Sequence, residues 1–97
     1  MLIEIKHFKT DSGGEFVIEE SGNRAGELAY TLLSGKKISI DHTFVEKPFR
    51  GAGMGKSLVR ASVEYARQSG LKICPLCPFA KVQIESNFPD VLEEGES

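Results

Sequence analysis

The sequence predicts a single mixed α/β (α+β) domain over residues 1–97. About four antiparallel strands form a meander; a main helix after a glycine-rich loop, a fifth strand and a short C-terminal helix follow. Three observations predict it. Residues 2–45 alternate apolar and polar side chains between clusters of Gly, Ser, Asn and Asp. After Pro48 the apolar period changes from two to that of a helix. A glycine then ends that helix, and one more short apolar run follows.

Residues 2–8 (LIEIKHF) have the period of a half-buried strand, and 11–15 (DSGGE) carry turn chemistry. Residues 15–20 (EFVIEE) resume the strand pattern, so the two runs read as a hairpin. Residues 21–26 (SGNRAG) turn again and 27–33 (ELAYTLL) form a third strand. After a turn at 34–37 (SGKK), residues 37–45 (KISIDHTFV) form a fourth. By strict alternation His42 shares a face with Ile38, Ile40 and Phe44. From residue 53 to 69 Lys56, Arg60, Glu64 and Arg67 line one helix face, with Leu58, Val59, Ser62, Val63, Tyr65 and Ala66 over much of the rest. Gly70 is the expected C-cap. Residues 71–77 (LKICPLC) read as a fifth strand, parallel to the fourth because a helix separates them. Pro75 within it argues for an edge or a bulge. Residues 78–86 read as a short helix with Pro78 in its first position, and 92–97 as a frayed end. The incomplete sheet edge near the fifth strand leaves a monomer or a weak homodimer as the expected state.

With 97 residues the chain has room for one core. A net charge of −2 argues against a nucleic-acid partner held by bulk charge. No apolar run approaches the roughly 20 residues that cross a bilayer, so no membrane role is expected. The first residues lack the basic-then-apolar plan of a secretory signal, so the expected location is cytoplasmic, with Cys74 and Cys77 as reduced thiols.

The chemistry-bearing stretch is residues 50–57, RGAGMGKS. A P-loop, G-x-x-x-x-G-K-S/T, would place a glycine at position 50, where Arg50 stands; it also needs a larger parallel sheet. The dinucleotide pattern G-x-G-x-x-G would place its third glycine at 56, where Lys56 stands, and should follow the first strand of a parallel sheet. A third pattern, Arg/Gln-x-x-Gly-x-Gly/Ala, fits without a gap through Arg50, Gly53 and Gly55. Any of these loops would gather backbone amides at a helix N-terminus, which is a preformed anion site.

The third pattern, together with DHTFVEKPFRGAGMGKSLV, ARQSGLKICPLCPFA and NFPDVL, resembles the GNAT superfamily of acyl-CoA-dependent N-acetyltransferases, and more narrowly its small GNAT-like subfamily. The resemblance covers a little over half of the chain, in its C-terminal part. It implies acetyl-CoA (coenzyme A) as co-substrate. The amides of Arg50, Gly51, Ala52, Gly53, Met54, Gly55 and Lys56 would surround the pyrophosphate. The pantetheine would pair with free backbone groups near Phe44 and Val45, where the fourth and fifth strands splay. It implies transfer of an acetyl group to an acceptor that the sequence leaves unknown. A non-catalytic acyl-CoA-binding or sensing module is the alternative, and a nucleotide-binding protein using the same loop is a more distant one.

Two candidates for the chemistry stand out. Cys77 falls just before Pro78 opens a helix, where the helix dipole favours a thiolate. The resemblance sets that position facing the acyl thioester, so an acyl-cysteine is conceivable; the bland reading is an inert, half-buried cysteine. His42 belongs to the resembling His-Thr pair and could take a proton from an amine or from Cys77, although a lone His is more often a satisfied rim residue. Cys74 and Cys77 also spell C-x-x-C. Cys74 lies on a strand rather than at a helix start, and zinc would need two ligands that His7 and His42 do not supply at paired spacing; no metal is expected. Larger members of the superfamily carry helices between the first two strands, a Tyr that protonates the departing thiolate and a final strand pair. Here residues 9–15 are only a turn, and Ile84 stands at the matching Tyr position.

Overall fold

The computed structural model describes residues 2–34 and 36–93. β1 (Ile3–Lys9), β2 (Gly13–Glu20), β3 (Asn23–Leu33) and β4 (Lys37–Val45) form the antiparallel meander, and β5 (Lys72–Pro75) joins β4 in parallel; the sheet order is β1-β2-β3-β4-β5. A 3-10 turn (Lys47–Phe49) leads to α1 (Met54–Ser69); α2 (Pro78–Asn87) and a second 3-10 turn (Pro89–Val91) follow β5. No helix among the described residues is long and apolar enough to cross a membrane.

β3 begins four residues earlier than the alternation suggests, because only Ser21 and Gly22 are needed to turn the chain; both take positive φ. β5 is shorter than residues 71–77. It ends at Pro75, and the amides of Leu76 and Cys77 both donate to the Ile40 carbonyl (3.0 and 3.1 Å) as the chain turns into α2. Of the tail expected to fray, Leu92 bridges Ile73 and the Glu93 amide donates to the Ile73 carbonyl; residues 94–97 lie outside the described residues. Gly35 of the expected third turn is also outside them.

Both helices cover one face of the sheet. Leu58, Val59, Val63 and Ala66 of α1 and Ala80 and Ile84 of α2 share a core with Phe16, Ile18, Leu28, Ile38 and Ile40. Burying each of the larger side chains stabilises the fold by about 1.5–3 kcal/mol. The alternate residues of the meander form a helix-free polar face, where Lys6 pairs with Glu19, Arg24 with Glu15 and Glu27, and His42 with Glu27.

A β-bulge breaks the alternation in β4. Ala29 pairs with His42 but Tyr30 pairs with Ile40, which leaves Asp41 unpaired between them. The Thr31 and Ser39 hydroxyls hold the Asp41 carboxylate at 2.6 and 2.8 Å. His42 therefore does not share a face with Ile38 and Ile40. The bulge turns it and Phe44 away from the helices and turns Thr43 and Val45 toward them.

Candidate functional site

β4 and β5 pair only from Lys37 to Ile40 on β4, and β4 then continues to Val45 with no β5 partner. The parting follows from the turn into α2: the Leu76 and Cys77 amides both close on the Ile40 carbonyl and Pro78 then starts the helix, so no residue of β5 is left to pair with 41–45 of β4. At the mouth of the gap lies a cleft of about 410 Å³, walled by Thr43 to Val45, by Phe49 to Gly51 and Gly53 to Lys56 of the loop and helix start, and by Phe79 of α2.

The loop reaches the helix through two left-handed glycines, Gly51 (φ 88°) and Gly53 (φ 78°). An added Cβ at either would meet no atom within 4 Å, so contact does not demand glycine there; only the backbone conformation does. Gly55 differs. Its φ is ordinary, but a Cβ would come to 3.1 Å of the Phe79 ring. Gly53 is the N-cap of α1 and supplies no side-chain cap, and the first helical bond runs from the Ser57 amide to the Gly53 carbonyl (3.1 Å). The amides of Met54, Gly55 and Lys56 thus precede the ladder. No acidic residue stands in the first turn, and Lys56 adds charge of the same sign as the helix dipole. An uncapped, positively augmented helix start is unfavourable alone and favourable with an anion bound.

Arg50 bends back over the mouth. Its Nε donates to the Val45 carbonyl at 2.8 Å, and its guanidinium lies 5.6 Å from the Phe44 ring centroid. One free carbonyl on the unpaired side of β4 is thereby occupied.

Cys77 is the N-cap of α2 and is only 7% exposed, packed into the core. Its thiol donates to the Thr43 hydroxyl, with sulfur and oxygen 3.7 Å apart. The cleft reaches Thr43, so Thr43 stands between its inner end and Cys77. His42 is exposed on the opposite face, its Nε2 3.2 Å from a Glu27 oxygen. The Arg24 guanidinium and that imidazole hold the Glu27 carboxyl below the usual carboxylate range.

Of the residues singled out from the sequence, Phe44, Val45, Arg50, Gly51, Gly53, Met54, Gly55 and Lys56 line the cleft. Ala52 does not, and Cys77 and His42 lie on opposite faces of the sheet rather than together. Thr43, Phe49 and Phe79 are wall residues that the sequence reading missed. Thr43 and Phe79 both fall in the stretches that carry the resemblance, Thr43 in the His-Thr pair and Phe79 after Pro78, but strict alternation puts Thr43 on the wrong face and only the bulge turns it inward. Among the described residues, no group of three or more His, Cys, Asp and Glu is placed to hold a metal ion.

The profile of the GCN5-related N-acetyl-transferase family matches residues 15–91. An uncharacterised N-acetyltransferase of Methanocaldococcus jannaschii is 32% identical over 74 residues, 70% of this chain, and the chain spans 33% of that relative's length. A GCN5-like candidate N-acetyltransferase of Staphylococcus aureus, solved in solution by NMR, is 36% identical and superposes with a TM-score of 0.69 over 96% of this chain and 93% of its own. A candidate streptothricin acetyltransferase of Bacillus anthracis str. Ames, crystallised with acetyl coenzyme A, shares the fold at 16% identity, with a TM-score of 0.61 over 71% of this chain and 40% of its own. The matched span runs from β2 through the glycine loop and the splayed strands to the turn after α2, and the chain carrying them belongs to the GCN5-related N-acetyltransferase family.

Proposed function

We propose that the cleft between β4 and the glycine loop binds acetyl-CoA and that the chain passes its acetyl group to an acceptor. The observation that carries this is the coincidence of two features. An uncapped helix N-terminus with left-handed Gly51 and Gly53 forms one wall, and the unpaired end of β4 forms the other. The first suits a pyrophosphate, since Met54, Gly55 and Lys56 offer amides and Lys56 a charge. The second suits an amide-bearing arm, which would pair along β4 near Phe44 and Val45 as an added strand does. Arg50 must then release the Val45 carbonyl, and its freed guanidinium turns toward the phosphates.

Such a ligand carries its thioester toward the point where β4 and β5 part, beside Thr43 and Cys77. The Cys77 sulfur, having lost its proton to solvent, adds to the acetyl carbonyl. The tetrahedral adduct expels the coenzyme A thiolate, which takes up a proton, and leaves an acetyl-cysteine thioester. An acceptor amine then attacks that thioester, and the Cys77 sulfur leaves. The proton shed by the amine neutralises the departing Cys77 thiolate; His42, paired with Glu27 on the opposite face of the sheet, stands away from this thioester.

The low exposure of Cys77 favours a second reading, in which the thiol is packing and the chain binds acyl-CoA without turnover. Amide NMR titration with acetyl-CoA, run beside ATP, tests the binding. Shifts at Arg50 to Lys56, Phe44 and Val45 with acetyl-CoA alone support it, and no shifts at millimolar ligand would sink it. Intact-mass measurement then separates the readings. An acetyl adduct on wild type that is absent in Cys77→Ala, with binding unchanged, supports acyl transfer; binding without adduct supports the sensing module.

A further inference from the structure

We infer that β1 is a self-complementary docking edge, through which two copies of this chain join into one continuous sheet in a single register. The two edges of the sheet are unlike. The β5 edge is blunted by Pro75 and covered where Leu92 bridges Ile73. β1 has a partner on one side only, and four of the large apolar side chains left exposed lie on or beside it: Leu2, Ile3, Ile5 and Phe8.

Hydrogen-bond direction fixes which residues can pair outward. The Leu2 carbonyl accepts from the Ser21 amide (2.7 Å), and the Thr10 amide donates to the Gly13 carbonyl (2.8 Å). Even-numbered residues from 2 to 10 therefore spend their backbone groups on β2, whereas Ile3, Ile5, His7 and Lys9 direct theirs outward. An antiparallel copy must set these odd residues opposite one another, which leaves few registers. Centring the axis between residues 5 and 7, at Lys6, sets Lys6 against Lys6. Centring it at Glu4 sets Glu4 against Glu4. Centring it on Ile5 pairs Ile5 with itself, Ile3 with His7, Leu2 with Phe8 and Glu4 with Lys6, each pair occurring twice except the first. Only this register opposes unlike charges and joins apolar neighbours, and it forms about six backbone hydrogen bonds.

Two further observations agree. Glu4 lies directly across from Glu19 in the β1–β2 ladder and makes no ion pair among the described residues, and the Lys6 that pairs with Glu19 in one copy comes opposite Glu4 of the other in this register. On the helix side, a hollow of about 520 Å³ separates Ile5 from Ser57 and Ala61 of α1 and is rimmed by Lys56, Arg60 and Glu64, so no side chain of this copy covers the outer side of Ile5 there.

The test is sedimentation equilibrium from micromolar to about millimolar protein, with charge-swapped chains. Wild type is expected to dimerise. Glu4→Lys and Lys6→Glu each place like charges opposite and should weaken self-association by at least about tenfold. Mixing the two variants should restore a dimer, because each then meets its opposite. Ile5→Pro removes an outward amide without touching the β1–β2 ladder and should abolish association while circular dichroism keeps the fold. A wild type that stays monomeric throughout overturns the inference, as does a dimer that survives Ile5→Pro, or single variants that do not recover on mixing. Addition of a strand from another protein instead of a second copy would appear as the monomeric outcome.

Discussion

Substituting Gly53 and Gly70 by the same residue separates a binding role from a backbone role. Both glycines flank α1, one as N-cap and one as C-cap, with φ of 78° and 68°. Neither would bring an added Cβ within 4 Å of another atom. Valine at either site thus meets the same obstacle, a left-handed backbone that a β-branched residue resists at about 1–2 kcal/mol. In a domain of this size each kcal/mol lowers Tm by roughly 4–8 °C. Gly53→Val and Gly70→Val should therefore lose similar amounts in a thermal melt and remain folded at 25 °C. They should part company in calorimetry with coenzyme A. Gly53 lines the cleft and Gly70 lies at the other end of a 16-residue helix. A valine side chain at Gly53 displaces a phosphate from the N-terminal amides, and losing one charge-assisted hydrogen bond of about 1.5–3 kcal/mol weakens binding by at least about tenfold. Gly70→Val should bind as wild type does. Equal affinity in the two variants, whether both strong or both weak, refutes the assignment of the loop.

The remaining predictions test other links. Gly26→Ala would set a Cβ 2.5 Å from the Phe44 carbonyl, so β3 and β4 must move apart; denaturant titration should show a loss of about 2 kcal/mol or more, against a smaller one for Gly22→Ala, which meets nothing. Arg50→Lys keeps the charge but loses the planar fork that turns to the phosphates once the Val45 carbonyl is released; coenzyme A affinity should fall several-fold, and unchanged affinity would remove Arg50 from the site. His7 stacks on Phe16 and shares a 2.6 Å hydrogen bond with the Tyr30 hydroxyl; burial and the nearby Lys9 charge hold its pKa below the ordinary value of 6.5. The unfolded chain then takes up this proton first as pH falls, so stability is full above about pH 6.5 and declines below it, and Tm measured between pH 7.5 and 5 should show a limb that His7→Gln flattens. Tyr30 is shifted upward by burial and by the Tyr65 hydroxyl, so it contributes stability that is lost only as pH rises past the ordinary tyrosine range.

The residues show why some of this was legible. Each turn of the meander needed Gly, Ser, Asn or Asp, and each strand alternated, so the order of elements could be read in sequence. The helix was equally plain, since Leu58, Val59, Ser62, Val63 and Ala66 recur at helical spacing and are buried. The face of His42 was not legible. A period-two pattern assigns faces only while strands pair one to one, and an extra residue moves every later side chain across the sheet. Asp41 gave no local warning, because its bulge is held by Thr31 from a neighbouring strand as well as by Ser39. The early end of β5 was half legible. Pro75 announced an edge, but the joint capture of the Leu76 and Cys77 amides by the Ile40 carbonyl depends on where β4 lies.

The sequence by itself determined the glycine loop and the helix start behind it. Positive φ, an uncapped N-terminus and the charge of Lys56 are properties of consecutive residues, and local sterics and the helix dipole act within one turn. Tertiary structure alone decided what faces that loop. Phe79 reaches Gly55 across 24 residues of chain, Arg50 reaches back to Val45, and Thr43 rather than His42 meets Cys77. Those contacts follow from how β4, β5 and α2 part and pack, and no local pattern encodes the separation of strands distant in sequence.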